Sequence, residues 1–532
     1  MRHARTFAGL TLVSRVLGLA RDAILARLFG VTALGTAFAI AFQFPNTFRR
    51  LFGEGALSAA FIPEYAQLLK RDPGLAARFS SLVVAVMTAA LGAVVVIMEL
   101  ALFAALVGME LPENGRRAVV LLALMLPFMP TVCLTAILGG MLQTHGRFAA
   151  QAGAPIVLNL CMIAAALVGS RALGWSAEST ALAVAASVSV AGVIQTLWCL
   201  HDLRSNVTWS RAFDGVRGPA ARMFRRMLPV IVGLGALQVS TLIESWVIVA
   251  WPIYQGGTIL GSPYPLDVGA GAALTNAQRL YQFPLGIFGI ALATAAFPAL
   301  ARLADEPARF AATLRRSIRL AAFIGLPATA GLIWVSSDLV SVVYEGGAIS
   351  AADAARIARC LVNYAALVGT YSVTHVLTRA FYAKGDTGLP TKVSLVTIVL
   401  SLGLSVALMW PMKESGLAMG SSLAAVVQLL ALGWLAHRRL SPDRRLLDRG
   451  TAASIARSAL ATGMMLAGLW ALGGVWDTAG GRMVAWVRLG WCCGLGGAMF
   501  LATALVFCRT ELAWLRGGPP DGAPRDDPGE VD

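Results

Sequence analysis

The sequence is built from apolar runs of about 20 residues, which are separated by short segments rich in charge, glycine or proline. Because a helix of about 20 apolar residues can cross the hydrocarbon core of a bilayer, each run predicts a transmembrane helix. The composition agrees, since 57% of the 532 residues are hydrophobic and only 13% are charged, whereas soluble domains carry about 25% charged residues. We therefore expect an all-α integral membrane protein. A secreted disulfide scaffold, a nucleic-acid-binding domain and a disordered chain are excluded.

Cutting the sequence at its charged and Gly/Pro-rich breaks predicts about fourteen spans. They cover residues 7–28, 31–52, 80–108, 118–142, 154–170, 180–200, 227–251, 271–300, 318–338, 357–379, 391–410, 415–436, 455–474 and 485–508. Of the 43 lysines and arginines, about 29 fall on one side of the predicted membrane and about 9 on the other. By the positive-inside rule the richer side is cytoplasmic, and both termini are expected there.

Two short motifs recur at the same spacing, which indicates an internal repeat. Phe42-Gln43-Phe44-Pro45 matches Tyr281-Gln282-Phe283-Pro284, and Gln143-Thr144-His145-Gly146 matches Tyr382-Ala383-Lys384-Gly385; each pair is 239 positions apart. Six spans separate the copies, so the repeat predicts two parallel six-helix lobes with two helices appended, an arrangement typical of transporters. Chance similarity among apolar helices is the alternative. The expected domains are a lobe at 1–205, an inter-lobe segment at 206–226, a lobe at 227–440, two additional helices at 441–510 and a disordered cytoplasmic tail at 511–532.

Several charged residues lie inside or at the edge of predicted spans. They are Arg15, Arg21, Asp22, Arg49, Arg50, Glu54, Glu99, Glu244 and Arg279. Each costs about 2.5–3.5 kcal/mol at a helix centre, so such residues face a protein interior or a watery cavity. The arginines outnumber the nearby carboxylates, and the planar guanidinium suits phosphate, so they predict a cavity for an anionic ligand. Internal ion pairing or snorkelling to the interface is the alternative. Arg50 follows Arg49 directly and is expected to point elsewhere.

Other chemistry is not supported by the sequence. No histidine lies in HExxH or another metal-ligand spacing, and neither GxxxxGK[ST] nor GxSxG occurs. The seven cysteines lie in apolar segments without ligand spacing. We therefore expect neither an enzyme nor an organic cofactor or firmly bound metal.

Further segments resemble the MurJ/MviN family of lipid II flippases, from about residue 6 to residue 510. They are Ser14 to Asp22, Phe44-Pro45-Asn46, Arg49 to Ala56, Gln278-Arg279-Leu280 with Phe283-Pro284, Tyr344 to Ala348 and Phe381 to Thr387. The resemblance implies the multidrug/oligosaccharidyl-lipid/polysaccharide exporter superfamily, two six-helix lobes around a central cavity and two extra helices that form a groove for a lipid tail. It also implies a head-group site made by Arg15, Arg21, Arg49 and Arg279, together with Asp22 and Glu54.

The sequence departs from the family pattern in three places. Thr36 stands where relatives often have Asp, and Gln278 and Gln282 flank Arg279 where relatives often have acids. The cavity is therefore expected to be less neutralised than in relatives. The loop at 252–271 is also longer than usual, and the sequence assigns it no role.

The resemblance implies that the protein flips lipid II, the undecaprenyl-pyrophosphate-linked peptidoglycan precursor, across the bacterial cytoplasmic (inner) membrane by alternating access. It is expected to act as a monomer among membrane lipids, with no nucleic-acid partner. A flippase for another polyprenyl-linked glycan, a drug/cation antiporter and a non-transporting scaffold are the alternatives. The family also implies a coupling ion, Na+ or H+, at a site formed by Glu244, Ser401, Ser405, Leu417 and Ser421. With a single carboxylate, Glu244 could equally carry a proton or serve as a structural acid.

Overall fold

A computed structural model of the chain describes residues 2–51, 57–251, 258–259, 262–441, 446–473 and 482–515. Nearly all of this part of the chain is helical. The helices of its first half are α1 Arg2–Phe29, α2 Ala33–Phe48, α3 Leu57–Arg71, α4 Pro73–Gly108, α5 Glu113–Met125, α6 Phe128–Thr144, α7 Ala149–Leu167, α8 Ala177–Leu203 and α9 Arg217–Leu242. Those of its second half are α10 Ala270–Pro284, α11 Ile290–Arg302, α12 Pro307–Tyr344, α13 Ala351–Ala383, α14 Gly388–Met412, α15 Glu414–Arg439, α16 Arg449–Gly473, α17 Arg482–Phe507 and α18 Arg509–Leu515.

Helical structure lies at each of the fourteen predicted spans, and the predicted all-α membrane fold is confirmed. Within the described residues, eleven helical stretches are long and apolar enough to cross a membrane. The predicted spans outside that set are 7–28, 31–52 and 227–251. Charges interrupt the first of these, and α2 is only 16 residues long. In the third, the described residues include a shorter apolar helical stretch, Gln238–Val249. The orientation of the termini stays a prediction.

Local sequence explains where several helices begin and change pitch. Helix α4 begins where the Asp72 carboxylate accepts hydrogen bonds from the backbone N–H groups of Gly74 (2.8 Å) and Leu75 (3.1 Å), with Pro73 at the first helical position. Wide π turns occupy 49–51, Val168–Ala172, Ile243–Val249 and Leu285–Gly289. The first and last of these turns follow the two copies of the Phe-Pro motif.

The chain divides into two compact units. Unit 1 comprises Met1–Arg279, Val343–Cys360 and Leu402–Gly420. Its core includes a stack of aromatic rings, in which Phe61 lies 5.5 Å from Tyr65 and 5.7 Å from Phe79 between ring centroids. All three side chains are almost completely buried. They lie at the junction of α3 and α4, so α3 is anchored in the core of this unit.

Unit 2 comprises Leu280–Val342, Leu361–Ser401 and Ser421–Asp532. One of its apolar clusters contains Phe310 and Phe381. Another contains Phe323 and Phe500, whose ring centroids are 5.2 Å apart, and it joins α12 to α16 and α17. The predicted lobe boundaries stay predictions.

The long connection after the seventh span contains a short hairpin. Thr258–Ile259 pairs antiparallel with Ser262–Pro263. The indole N–H of Trp251 donates to the Thr258 carbonyl at 3.1 Å, and the Tyr264 hydroxyl donates to the Ile248 carbonyl at 2.9 Å. These bonds tie the described part of the 252–271 loop to the end of its own helix.

The end of the described chain corrects the prediction of a disordered tail from residue 511. Residues 511–515 belong to α18, because the Glu511 side chain is fully buried and accepts hydrogen bonds from Arg319 (2.8 Å) and Ser454 (2.5 Å). Trp514 packs under the guanidinium of Arg319 at 4.4 Å. Residues 516–532 lie outside the described part of the chain.

Replacing Glu511 with Ala should release α18 from unit 2. Burial opposes ionisation of this carboxyl, but the hydrogen bonds from Ser454 and Arg319 outweigh it and hold the pKa of Glu511 below its usual 4.5. Since breaking a buried ion pair costs about 3–5 kcal/mol, we expect much faster hydrogen exchange in α18. A carboxyl with a lowered folded pKa stabilises fully above pH 4.5, so the wild-type protection should fade as the pH falls below that value.

The matched control is Glu306→Ala, which removes an exposed pair with Arg309 (2.8 Å) in the same unit. Exposed pairs contribute about 0–1 kcal/mol. Equal exchange in α18 for the two variants would contradict the role assigned to Glu511.

Candidate functional site: an arginine-lined cavity

A cavity of about 490 Å³ lies within unit 1. Helices α1, α2, α6, α7, α8 and α10 and the π turn at 49–51 contribute to its wall. Its cationic lining residues are Arg15, Arg21, Arg49, Arg50 and Arg279. Its uncharged polar lining residues are Thr11, Ser14, Asn46, Thr135, Gln151, Asn159 and Gln195. We call it the arginine cavity. The structure thus places all four predicted cavity arginines on one surface, and their role in binding substrate stays a prediction.

The expectation that Arg50 points away from Arg49 is wrong. Both side chains line the arginine cavity. The helix after α2 continues as a π turn over 49–51, and a π turn holds more residues than an α turn. Consecutive side chains are therefore separated by a smaller angle, so that Arg49 and Arg50 face the same space.

A network of ion pairs forms one end of the cavity. Oδ1 of Asp22 accepts hydrogen bonds from Nε (2.9 Å) and Nη2 (2.6 Å) of Arg21. Oδ2 of Asp22 lies 3.4 Å from Nε of Arg279. One carboxylate on α1 therefore joins the guanidinium groups of α1 and α10.

Two residues that the sequence analysis missed hold Arg21 in place. Asn159 Oδ1 accepts from Nη1 of Arg21 at 2.9 Å, while its Nδ2 donates to the Ser14 carbonyl at 3.1 Å. The ring of Phe42 lies 5.3 Å from the guanidinium carbon. Arg21 is only 7% exposed, so these contacts fix its orientation. The sequence did contain a signal for this contact, because Asn159 is a polar amide in the middle of an apolar span.

The other cavity arginines differ in their polar contacts. Arg15 makes no hydrogen bond or ion pair with the rest of the described chain. Nε of Arg49 donates to Asn46 Oδ1 at 3.0 Å. Glu54, predicted to belong to the same site, lies outside the described residues. Among the described residues that line the cavity, five are arginines and none is a carboxylate. Asp22, at one end of the cavity, pairs with two of them, so the cavity has a net positive charge that attracts anions.

Unit 2 contains a cavity of opposite character, with a volume of about 820 Å³. It lies between α12, α13, α15 and α16. Its wall is almost entirely aliphatic, and Trp434 and His437 lie near the end of α15. We call it the apolar cavity. Of the two additional helices predicted to form a lipid-tail groove, only α16 contributes to its described lining.

The predicted coupling residues are divided between several places. Glu244 lies in the π turn after α9 and faces a cavity of about 30 Å³, which we call the Glu244 cavity. Its polar lining residues are Gln43, Thr241, Ser245, Thr275 and Gln278. None of Ser401, Ser405, Leu417 and Ser421 lines it. Ser405 instead donates to the Leu417 carbonyl at 3.2 Å, and Ser401 and Ser421 belong to unit 2.

Thr36 takes up a capping role at the position where an acid was expected from the family. Its Oγ1 accepts a hydrogen bond from the backbone N–H of Ala272 at 3.0 Å, in the first turn of α10. The side chain is fully buried. A hydroxyl satisfies this donor without placing a negative charge there.

Within the described residues there is no group of three or more His, Cys, Asp or Glu side chains arranged for a metal ion.

Comparisons with known proteins agree with one another. Residues 25–486 match the family described as lipid II flippase MurJ. A probable lipid II flippase MurJ of Rhizobium tropici is 32% identical over 82% of this chain and 80% of its own length. A protein of the same description from Vibrio cholerae is 30% identical over 94% of each chain.

Solved structures agree on the fold. A lipid II flippase MurJ in an inward closed conformation gives a TM-score of 0.76 at 20% identity, covering 95% of this chain and 99% of that one. An inward-facing multidrug transporter of the MATE family gives a TM-score of 0.62 at 14% identity, covering 82% of this chain and 98% of that one. The chain is therefore a multi-pass membrane protein that belongs to the lipid II flippase MurJ family.

Proposed function

We propose that this chain flips lipid II from the inner to the outer leaflet of the bacterial cytoplasmic membrane by alternating access. The observation that carries the proposal is the arginine cavity, in which five guanidinium groups line one space inside a membrane protein. Placing that many cations in a membrane is costly unless an anion compensates them. The membrane-embedded anion that fits is a lipid-linked pyrophosphate.

The head group would bind through charge-assisted hydrogen bonds. Guanidinium forks match phosphate oxygens two at a time. Arg15 makes no hydrogen bond or ion pair with the described residues and is available for one phosphate, whereas Arg21 and Arg279 already share Asp22. A pyrophosphate that approaches Arg21 and Arg279 would compete with Asp22 for their donors, so that binding can be reversed.

The polyprenyl chain would occupy the apolar cavity. Each buried CH₂ group contributes about 0.8 kcal/mol, and the lining of α12, α13, α15 and α16 offers few polar groups to oppose a hydrocarbon.

The protein would act as a monomer and would make and break no covalent bond. Transport would be driven by product removal, the membrane potential or a coupling ion, Na+ or H+, at Glu244.

The experiment is to deplete the protein in a bacterium that depends on it and to measure which lipid-linked precursor accumulates, and in which leaflet. We expect lipid II to accumulate in the inner leaflet. Accumulation of another polyprenyl-linked glycan would overturn the choice of substrate, because the same phosphate and prenyl chemistry would serve that lipid. A drug/cation antiporter is disfavoured, since such a transporter would line its cavity with carboxylates.

A further inference from the structure

Three cavities of unit 1 adjoin one another through shared lining residues. A cavity of about 60 Å³, which we call the middle cavity, shares Arg21, Phe42 and Arg279 with the arginine cavity. It shares Ala39 and Thr275 with the Glu244 cavity. A cavity needs only about 10–15 Å³ to hold one water molecule. The middle cavity and the Glu244 cavity are both large enough, so the three form a series from the arginines to Glu244.

Glu244 is the acid at the far end of this series. It lies within a predicted membrane span and makes no hydrogen bond or ion pair with the rest of the described chain. The groups around it, such as Gln43, Gln278 and Thr241, are uncharged. An intramembrane carboxylate with no cationic partner is costly when ionised, so this environment favours a group that takes up and releases a proton.

Thr275 is the polar link between the two smaller cavities. Its side chain lines both, and its hydroxyl makes no hydrogen bond with the rest of the described chain. The other shared residue, Ala39, is apolar. A hydroxyl can accept a proton on one lone pair while it donates its own, so Thr275 can pass a proton from water on one side to water on the other.

The charged groups along the route lie at its arginine end. They are Arg21 and Asp22 from α1 and Arg279 from α10, with Tyr344 nearby, whose hydroxyl donates to the carbonyl of the lining residue Asn276 at 3.1 Å. The described lining residues from α2 carry no charge. An excess proton entering from the arginine cavity is repelled by the guanidinium groups, and a bound pyrophosphate offsets that repulsion.

We propose that Glu244 exchanges a proton with the arginine cavity through Thr275, and that the bound anionic head group opens this route. This inference rests on the proposed function and adds that binding of the head group regulates the proton exchange. A water molecule on the arginine side gives a proton to Thr275 Oγ1, and the hydroxyl at the same time releases its own proton to a water molecule in the Glu244 cavity. That second water molecule then protonates a carboxylate oxygen of Glu244. One proton moves, and Thr275 is unchanged.

The test uses the purified full chain in proteoliposomes that contain lipid II, with flipping rate and lipid II affinity measured across a range of pH. The wild-type rate should depend on pH, and Glu244→Gln should give a flat profile. Thr275→Val should keep the affinity but lower the rate about 100-fold and flatten the profile. Thr275→Ser should restore both properties. Thr88→Val is the matched control, because that hydroxyl lies on an exposed face of α4 and bonds only its own helix.

Three outcomes would overturn the inference in different ways. If Thr275→Val kept the wild-type pH profile while Glu244→Gln gave a flat one, passage of the proton through Thr275 would be refuted, but proton exchange at Glu244 would stand. A wild-type protein that flips lipid II independently of pH would refute proton exchange at Glu244 and leave the proposed function intact. Failure of the wild type to flip lipid II at any pH would refute the proposed function itself.

Discussion

Arg21→Ala should abolish growth in cells whose only lipid II flippase is this protein. The substitution removes a cation that faces the arginine cavity and also leaves Asp22 and Asn159 without their principal partner. Hydrogen bonds to charged groups contribute about 1.5–3 kcal/mol each, so the loss of a two-point phosphate contact should weaken lipid II binding by about 100-fold or more. Arg21→Lys should recover part of the affinity, because it keeps the charge but loses the fork. The measurement is lipid II binding to purified protein, alongside complementation.

The control is Arg171→Ala, which removes an exposed arginine that lines none of the described cavities. It should complement fully. Arg50→Ala should also weaken binding, since Arg50 lines the arginine cavity. Normal lipid II affinity in Arg21→Ala, with loss of growth explained by low membrane levels, would show that the arginine is structural.

Gly463→Phe should block the apolar cavity. Gly463 lines this cavity, and a Cβ at that position meets no atom within 4 Å, so the ring can enter the open space without displacing the helix. If the ring excludes about three CH₂ groups of a bound chain, at about 0.8 kcal/mol each, affinity for full-length lipid II should fall about 50-fold. The measurement compares full-length lipid II with an analogue that has a shortened prenyl chain, and the analogue should bind equally to both proteins.

Gly497→Phe is the matched control. Gly497 lies on α17, its Cβ position is equally open, and it does not line the apolar cavity. If Gly463→Phe lowered the affinity for both substrates alike, the apolar cavity would not be the site of the tail.

The arginines of the site were predictable because a charge inside an apolar run has few explanations. Arg15, Arg21 and Arg279 needed no knowledge of the fold to be singled out. Asn159 was overlooked, since one amide does not change the hydropathy of a span. Arg50 was misassigned, because ideal helical periodicity does not reveal a π turn.

Helix α3 was also missing from the predicted organisation. Hydropathy divides the chain only into apolar runs and breaks, and α3 combines an apolar face with Glu64, Lys70 and Arg71. In the structure α3 is held against α9 by ion pairs, since the buried Glu64 pairs with Arg222 at 2.9 Å and Arg226 at 3.4 Å. Amphipathic helices between spans depend on tertiary partners that the sequence does not show.

The π turns that follow the two Phe-Pro motifs set the rotation of the helices beyond them. Residues 49–51, moved forward by the 239-position repeat, correspond to 288–290 and overlap Leu285–Gly289 at 288 and 289. A π turn is an α-helical turn with one extra residue. A single-residue deletion in either turn would return the helix to ordinary pitch and rotate everything beyond it by about 100°.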